Sequence, residues 1–120
     1  MHEMGIANAV IQAVRAEATL HPEARFLKVG LRVGELAGVD PDSLSFCFEA
    51  LLRGTELEPL RLEIEPSPRR HLCPRCQRAF IVLDYETACP ECGEAKTRCI
   101  AGDELELAYL EVEEPEEGET

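Results

Sequence analysis

Two hydrophobic patterns with different periods open the chain. Between residues 4 and 19 the apolar side chains recur at helical spacing, which predicts an amphipathic helix that ends before Pro22. Between residues 25 and 34 every second side chain is apolar, which predicts a half-buried strand. The apolar positions are Ile6, Ala7, Val10, Ile11, Val14 and Ala18 in the helix, and Leu27, Val29, Leu31 and Val33 in the strand.

A second helix and two further strands follow. Asp40 is a favoured N-cap residue and Pro41 a favoured first helical residue, so a helix is expected to begin there. Alternating apolar positions predict strands over residues 60–64 and 104–112, and the segment Pro66 to Pro68 is expected to end the first of them. The apolar stripe of the second helix comprises Leu44, Cys47, Phe48, Leu51 and Leu52.

These elements indicate a body with an insertion. Residues 1–66 and 103–113 are expected to form a discontinuous α/β (α+β) domain, with two helices and a small mixed three-stranded sheet. Residues 69–98 form a cysteine-rich module between the second and third strands, and a small hairpin is expected between its two cysteine pairs. Residues 114–120 are rich in glutamate and are expected to be a solvated acidic tail.

The module carries the pattern C-x2-C-x12-C-x2-C, formed by Cys73, Cys76, Cys89 and Cys92. This paired spacing lets two tight turns present four sulfurs to a single ion. Four thiolates favour one structural Zn2+ per chain, in a zinc-ribbon-like module that is too small to fold without it. An iron–sulfur cluster and disulfides are the alternatives, and a cytoplasmic setting disfavours the disulfides. Because four protein ligands leave no open position on the ion, a zinc hydrolase is not expected.

Two further cysteines and one histidine near the module call for an interpretation. Cys47 falls on the apolar stripe of the second helix and is interpreted as a core residue. Cys99 is interpreted as a bystander in a linker. His71 precedes the first cysteine pair, where it either hydrogen-bonds or tunes a metal-bound sulfur, or is a solvated linker residue.

Composition narrows the classes of function. The 120 residues include 24 acidic and 12 basic side chains, which gives a formal net charge of -12. Such a chain lacks the basic surface that neutralises phosphates, so nucleic acid is not an expected partner. The sequence holds no apolar run that could span a bilayer, and its first residues lack the layout of a signal peptide. We therefore expect a cytoplasmic protein without a membrane partner.

The first residues can form a metal chelate. The amine of Met1 and the amide nitrogen of His2 would close one ring on an ion, and that amide and the His2 imidazole would close a second. Three nitrogens in one plane suit Ni2+ or Cu2+, and Glu3 adds a carboxylate beside them. The alternative is a frayed surface histidine followed by an acidic residue that favours a helix N-terminus.

Taken together, these features resemble one known family. Met1-His2-Glu3 before an amphipathic helix, the segment Val33 to Val39, the helix from Pro41 and the two Cys-Pro-x-Cys pairs are similar to the HypA/HybF hydrogenase nickel-incorporation proteins. The resemblance implies a nickel metallochaperone and not an enzyme. It implies that the chain binds Ni2+ at its N-terminus and helps to insert it into nickel–iron (NiFe) hydrogenase, and in some organisms into urease.

The resemblance also implies roles for single residues and for partners. His2 would be the key nickel ligand, with Glu3 and the backbone nitrogens of Met1 and His2 around it. Asp40 matches a position near the nickel in some relatives, although its N-cap role before Pro41 explains it equally well. The implied partners are the maturation GTPase HypB and the hydrogenase large subunit. Nickel would be transferable, and a monomer and a weak homodimer both stay open.

Overall fold

The structure is a computed structural model that describes residues 2–114. Its helices are α1 (Glu3–Leu20) and α2 (Pro41–Leu52). Its strands are β1 (Arg25–Gly34), β2 (Arg61–Ser67), β3 (Arg70–Leu72), β4 (Ala79–Ile81), β5 (Arg98–Ala101) and β6 (Leu105–Glu113). The two helices and the three longer strands match the elements that the hydrophobic pattern predicts, within about two residues at most ends.

The chain divides into two compact units. Among the described residues, the first unit comprises the stretch up to Leu31, the segment Val39–Ile64 and the stretch from Leu107 onward. The second unit comprises Arg32–Gly38 and Glu65–Glu106. The domain bounds expected from the sequence stay a prediction, because compactness alone does not show which part folds by itself. The expected acidic tail lies, apart from its first residue, outside the described residues.

The two helices pack against each other in the first unit. Each buries most of the apolar stripe that its sequence predicts, and Ala18, Cys47 and Leu51 of those stripes are half-buried. Each large side chain removed from water contributes about 1.5–3 kcal/mol. The buried residues are Ile6, Ala7, Val10, Ile11 and Val14 of α1, and Leu44, Phe48 and Leu52 of α2. Within residues 2–114, no helix is long and apolar enough to cross a membrane.

The three longer strands form a sheet in the order β2-β1-β6. Two cations of β1 each pair with one carboxylate of either neighbouring strand. The pairs are Lys28 with Glu63 (3.5 Å) and Glu111 (3.9 Å), and Arg32 with Glu65 (3.4 Å) and Glu106 (2.8 Å). Along β1 the paired residue number rises in β2 and falls in β6, so β2 is parallel and β6 antiparallel to β1. The sheet is mixed, as expected.

The segment Pro66 to Pro68 ends strand β2 as expected, at its second proline. The strand includes Pro66, runs to Ser67 and stops before Pro68. The strand order places β2 at the edge of the sheet. A proline is tolerated on an edge strand because its missing N–H is not needed by a second neighbour.

The second unit contains a small sheet in the order β4-β3-β5, and β3 is antiparallel to both neighbours. His71 of β3 lies opposite Phe80 on one side and Cys99 on the other. The hairpin formed by β3 and β4 therefore encloses the first cysteine pair, where Cys73 N donates to Arg78 O at 2.9 Å. Cys99 belongs to a strand and not to the linker that the sequence suggested.

Close backbone approach explains a glycine of the segment Val33 to Val39. Gly34 N donates to Glu104 O, and a Cβ at Gly34 would overlap the backbone of Gly102. The Glu35 carboxylate accepts a hydrogen bond from Arg69 N at 3.3 Å. This segment therefore holds together the two ends of the cysteine-containing stretch of the second unit.

Candidate metal centres

The four paired cysteines meet at one point in the second unit. Their sulfurs all lie within 4.8 Å of one another. Cys73 Sγ is 3.6 Å from Cys92 Sγ, and Cys76 Sγ is 3.5 Å from Cys89 Sγ. With Zn–S bonds of about 2.3 Å, sulfurs at the corners of a tetrahedron lie about 3.8 Å apart. The cluster therefore fits one tetrahedral ion, and the four thiols suit structural zinc.

Both cysteine pairs adopt the same backbone turn. Gln77 N donates to Cys73 O, and Gly93 N donates to Cys89 O, both at 2.8 Å. The residue after each pair has a positive φ, 63° at Gln77 and 79° at Gly93. The glycine at position 93 signals this conformation in the sequence, whereas the glutamine at position 77 does not. Cys76 N also donates to Cys73 Sγ at 3.5 Å.

The pKa values of two thiols in the cluster are shifted in opposite directions. Removal from water raises the pKa of the Cys76 thiol to about 12. The backbone N–H groups of Cys92 and Glu91 lower the pKa of Cys89 to about 7. Without a cation the cluster therefore retains protons at neutral pH, and binding of a divalent metal must release them.

His71 is a buried residue of β3, and its ring is hydrogen-bonded on both sides. Its Nε2 accepts from Arg69 Nε at 3.1 Å, so its Nδ1 carries the proton and donates to Thr97 Oγ1 at 2.8 Å. Thr97 Oγ1 in turn donates to Thr87 O at 2.5 Å. Burial, with a smaller contribution from Arg69, lowers the pKa of His71. His71 is therefore neither a solvated linker residue nor bonded to a sulfur, because it is buried and its two ring nitrogens bond Thr97 and Arg69. A role in tuning the metal site stays a prediction.

The two remaining cysteines lie outside the cluster. Cys47 is half-buried on α2, in keeping with a core role. Cys99 is exposed on β5, and its thiol donates to Ala101 O at 3.5 Å. Neither sulfur belongs to the group of metal-binding side chains found in the described part of the chain.

The proposed nickel ligands begin at the N-terminus of α1. His2 is exposed and is the N-cap of α1, and its carbonyl accepts from Gly5 N at 3.1 Å and Ile6 N at 3.2 Å. The Met1 amine, a third expected ligand group, lies outside the described residues. The backbone N–H of an N-cap residue has no acceptor within its helix, so the amide nitrogen of His2 is not used by a helical hydrogen bond.

Glu3 and Asp40 come together although 37 positions separate them. Glu3 Oε2 accepts from Asp40 N at 3.1 Å, and this bond lowers the pKa of the Glu3 carboxyl. Asp40 Oδ1 accepts from Asp42 N at 3.1 Å, and Asp40 Oδ2 accepts from the Ser43 hydroxyl at 3.1 Å. The expected N-cap role of Asp40 is confirmed, whereas no sequence signal indicated its contact with Glu3.

Comparison with protein families places these features in a known context. Residues 1–112 match the model of a family described as hydrogenase/urease nickel incorporation, metallochaperone, hypA. A hydrogenase maturation factor HypA from Geobacter metallireducens is 43% identical over 113 residues, which cover 94% of this chain and all of that one. The factor of the same name from Azotobacter vinelandii is 39% identical over the same coverage.

Two solved structures share the fold. The solution structure of the Ni metallochaperone HypA from Helicobacter pylori matches with a TM-score of 0.63 and 23% identity, over 96% of this chain and all of that chain. A second solution structure, of a HypA protein, matches with a TM-score of 0.68 and 22% identity, over 92% and 95% of the two chains. At these identities the likeness concerns the fold alone.

Proposed function

The chain belongs to the family of metallochaperones that incorporate nickel into hydrogenase and urease, and we propose that it carries Ni2+ at its N-terminus. Members of this family are maturation factors and not enzymes. The observation that carries the proposal is the arrangement of His2 and Glu3. His2 is exposed at the N-cap of α1, and the neighbouring Glu3 carboxylate is held by a backbone bond to Asp40.

Nickel would bind to three nitrogens of the first two residues. The Met1 amine, the His2 amide and the His2 imidazole close two fused chelate rings, and such a planar set suits Ni2+. Because the helix takes up only the carbonyl of His2, its amide nitrogen is available for metal binding. The amide must lose its proton on binding, so the site should favour nickel at higher pH.

The carboxylates of Glu3 and Asp40 would modify the nickel affinity, whereas the three nitrogens would be the main ligands. Glu3 is proposed as the nearby charge, because its bond to Asp40 N already holds it in place. Both oxygens of Asp40 already accept a hydrogen bond, from Asp42 N and from the Ser43 hydroxyl, and a metal would compete with these bonds for the carboxylate. Loss of an N-cap costs about 1 kcal/mol, so we assign Asp40 to the cap first and to nickel only as a secondary ligand.

The four-cysteine cluster would hold a structural zinc ion. Cys73, Cys76, Cys89 and Cys92 supply all four tetrahedral ligands, so the ion has no position for a substrate. The short strands β3, β4 and β5 bury little apolar surface. Zinc binding would therefore supply much of the folding energy of this module.

Delivery requires release as well as binding. A dissociation constant near the micromolar range, about −8 kcal/mol, would select nickel and still allow transfer. We propose that the acceptor is the hydrogenase large subunit, that the GTPase HypB acts in the same step, and that the chain works in the cytoplasm. Urease is a second acceptor that the family description supports.

Hydrogenase activity in cells tests this proposal. In a strain that carries His2→Ala in place of the wild-type chain, hydrogenase activity should fall and excess nickel salt should restore it. His21→Ala is the matched control, because His21 is an exposed histidine at the other end of α1. Full activity of His2→Ala at limiting nickel would contradict the proposal.

A further inference from the structure

A tight turn projects from the second unit between the two cysteine pairs. We call residues 81–86 the tip. Glu86 N donates to Leu83 O at 2.9 Å, and an isolated bridge joins the same two residues. Val82, at the base, is 4% exposed, and its N–H donates to Arg69 O at 2.9 Å. The base of the tip is therefore anchored in the unit while its end points outward.

The turn uses an unfavourable pair of residues. Asp84 and Tyr85 have φ values of 51° and 63°, so both central positions lie in the left-handed region. This is a type I′ turn, in which Asn-Gly and Asp-Gly are the preferred pairs. A tyrosine at the second position is strained where a glycine would not be. Backbone strain of this kind is concentrated at functional sites. Folding alone gives no reason for a tyrosine at this position, so the residue points to a function.

The same turn exposes its largest apolar side chains. Tyr85 is 88% exposed, Leu83 69% and Ile81 45%. Single exposed apolar residues are ordinary, but three exposed large apolar residues within five positions are a concentration that calls for an explanation. Tyrosine is also among the residues that dominate protein interfaces, because its ring offers contact area with few rotatable bonds.

The charged residues at the tip indicate what kind of surface would bind it. The end of the tip carries Asp84 and Glu86 on either side of Tyr85, whereas the exposed Arg70 of β3 lies opposite Ile81 at its base. A complementary surface would therefore be an apolar pocket bordered by basic side chains. A second copy of this chain is a poor match, since two molecules of net charge -12 repel each other.

We propose that the tip docks this chain onto a partner protein, by insertion of Tyr85 and Leu83 into an apolar pocket bordered by lysine and arginine. The inference rests on the proposed function for the choice of partners, which are the proteins that accept nickel or act in its delivery. None of the four clustered cysteines belongs to the tip, so docking through the tip does not require a metal ligand.

Binding of the full, zinc-loaded chain to two purified probes tests the proposal. The probes are the precursor of the hydrogenase large subunit and the maturation GTPase. Leu83→Ser and Tyr85→Gly should weaken binding to at least one probe by about tenfold or more. Leu20→Ser is the matched control, because Leu20 is 70% exposed at the end of α1, and it should leave binding unchanged.

Tyr85→Gly separates docking from folding. It creates the favoured Asp-Gly pair, so the thermal midpoint should rise or stay constant while binding falls. Asp84→Lys combined with Glu86→Lys should also weaken binding, and the salt dependence of binding should decrease. A tip variant that loses binding only when its midpoint drops would mean that the tip is structural, and this would overturn the proposal.

Three other results would overturn it. Equal affinity of the wild type and both tip variants for every probe that the wild type binds would remove the tip from the interface. A wild-type dimer that Tyr85→Gly converts to monomers would make a second copy the occupant. If the wild type binds neither probe, the proposed partners and the tip fall together. A nickel titration then shows whether the rest of the proposed function survives.

Discussion

The Glu3 carboxylate accepts a hydrogen bond from the backbone N–H of Asp40 at 3.1 Å, so the first turn of α1 is tied to the N-cap of α2. The two acidic residues are therefore engaged before any metal binds. Glu3 satisfies the amide of Asp40, and Asp40 satisfies the amide of Asp42. The residues beside the proposed nickel site thus also stabilise the start of both helices.

Two substitutions of Asp40 separate its capping role from metal binding. Asp40→Ala should lower the free energy of unfolding by about 1 kcal/mol, because α2 loses its N-cap. Asp40→Asn should keep the stability, since asparagine caps equally well but is a poorer nickel ligand. Thermal unfolding and nickel titration of both variants give the comparison. A marked loss of nickel affinity in Asp40→Asn would make Asp40 a ligand in its own right.

The four clustered cysteines should each be required for zinc. Substitution of any one by serine should reduce the metal content of purified protein well below one ion per chain, because three thiolates no longer saturate the ion. The Cys47→Ala, Cys99→Ala double variant is the control and should keep its zinc, since neither sulfur joins the cluster. Elemental analysis measures both, and loss of zinc from the double variant would refute the assignment.

Gln77→Gly should stabilise the cysteine module. Gln77 has a φ of 63°, and relief of this strain is worth about 1 kcal/mol. The variant loses the bond from Gln77 Nε2 to Pro74 O at 2.8 Å, and an exposed bond of this kind offsets only about 0.5 kcal/mol. The zinc concentration needed to fold the module should therefore fall. Glu94→Gly is the control, because Glu94 has no positive φ and its replacement should not stabilise the module. A Gln77→Gly module that needs more zinc to fold than the wild type would contradict this prediction.

The main elements of the fold could be predicted because their signals are local. Helical spacing of apolar residues predicted α1, and the Asp40-Pro41 pair predicted the start of α2. The paired cysteine spacing predicted the cluster, since each tight turn depends on a few neighbouring residues. The segment Pro66 to Pro68 predicted the end of β2, but only the strand order shows that β2 is an edge strand in which Pro66 is tolerated.

The finer parts of the candidate sites depend on contacts between distant segments. The sequence around His71 resembles a linker. Only the structure shows that β3 lies between β4 and β5 and that the His71 ring bonds Thr97. The bond between Glu3 and Asp40 joins the starts of two helices, and no spacing rule relates them. Gln77 gives no sign of its positive φ, because the turn of the cysteine pair imposes it.

The central claim is that nickel binds to the first two residues as one chelating unit. Calorimetry on tag-free, zinc-loaded protein compares the wild type, His2→Ala and a chain extended by one residue before Met1. Loss of the imidazole, or conversion of the Met1 amine to an amide, should weaken nickel binding by roughly 100-fold, about 2.7 kcal/mol. His21→Ala should leave it unchanged. Affinity should fall as the pH drops, because protons compete for the amine, the amide and the imidazole. Equal nickel affinity in the wild type, His2→Ala and the extended chain would contradict the N-terminal site.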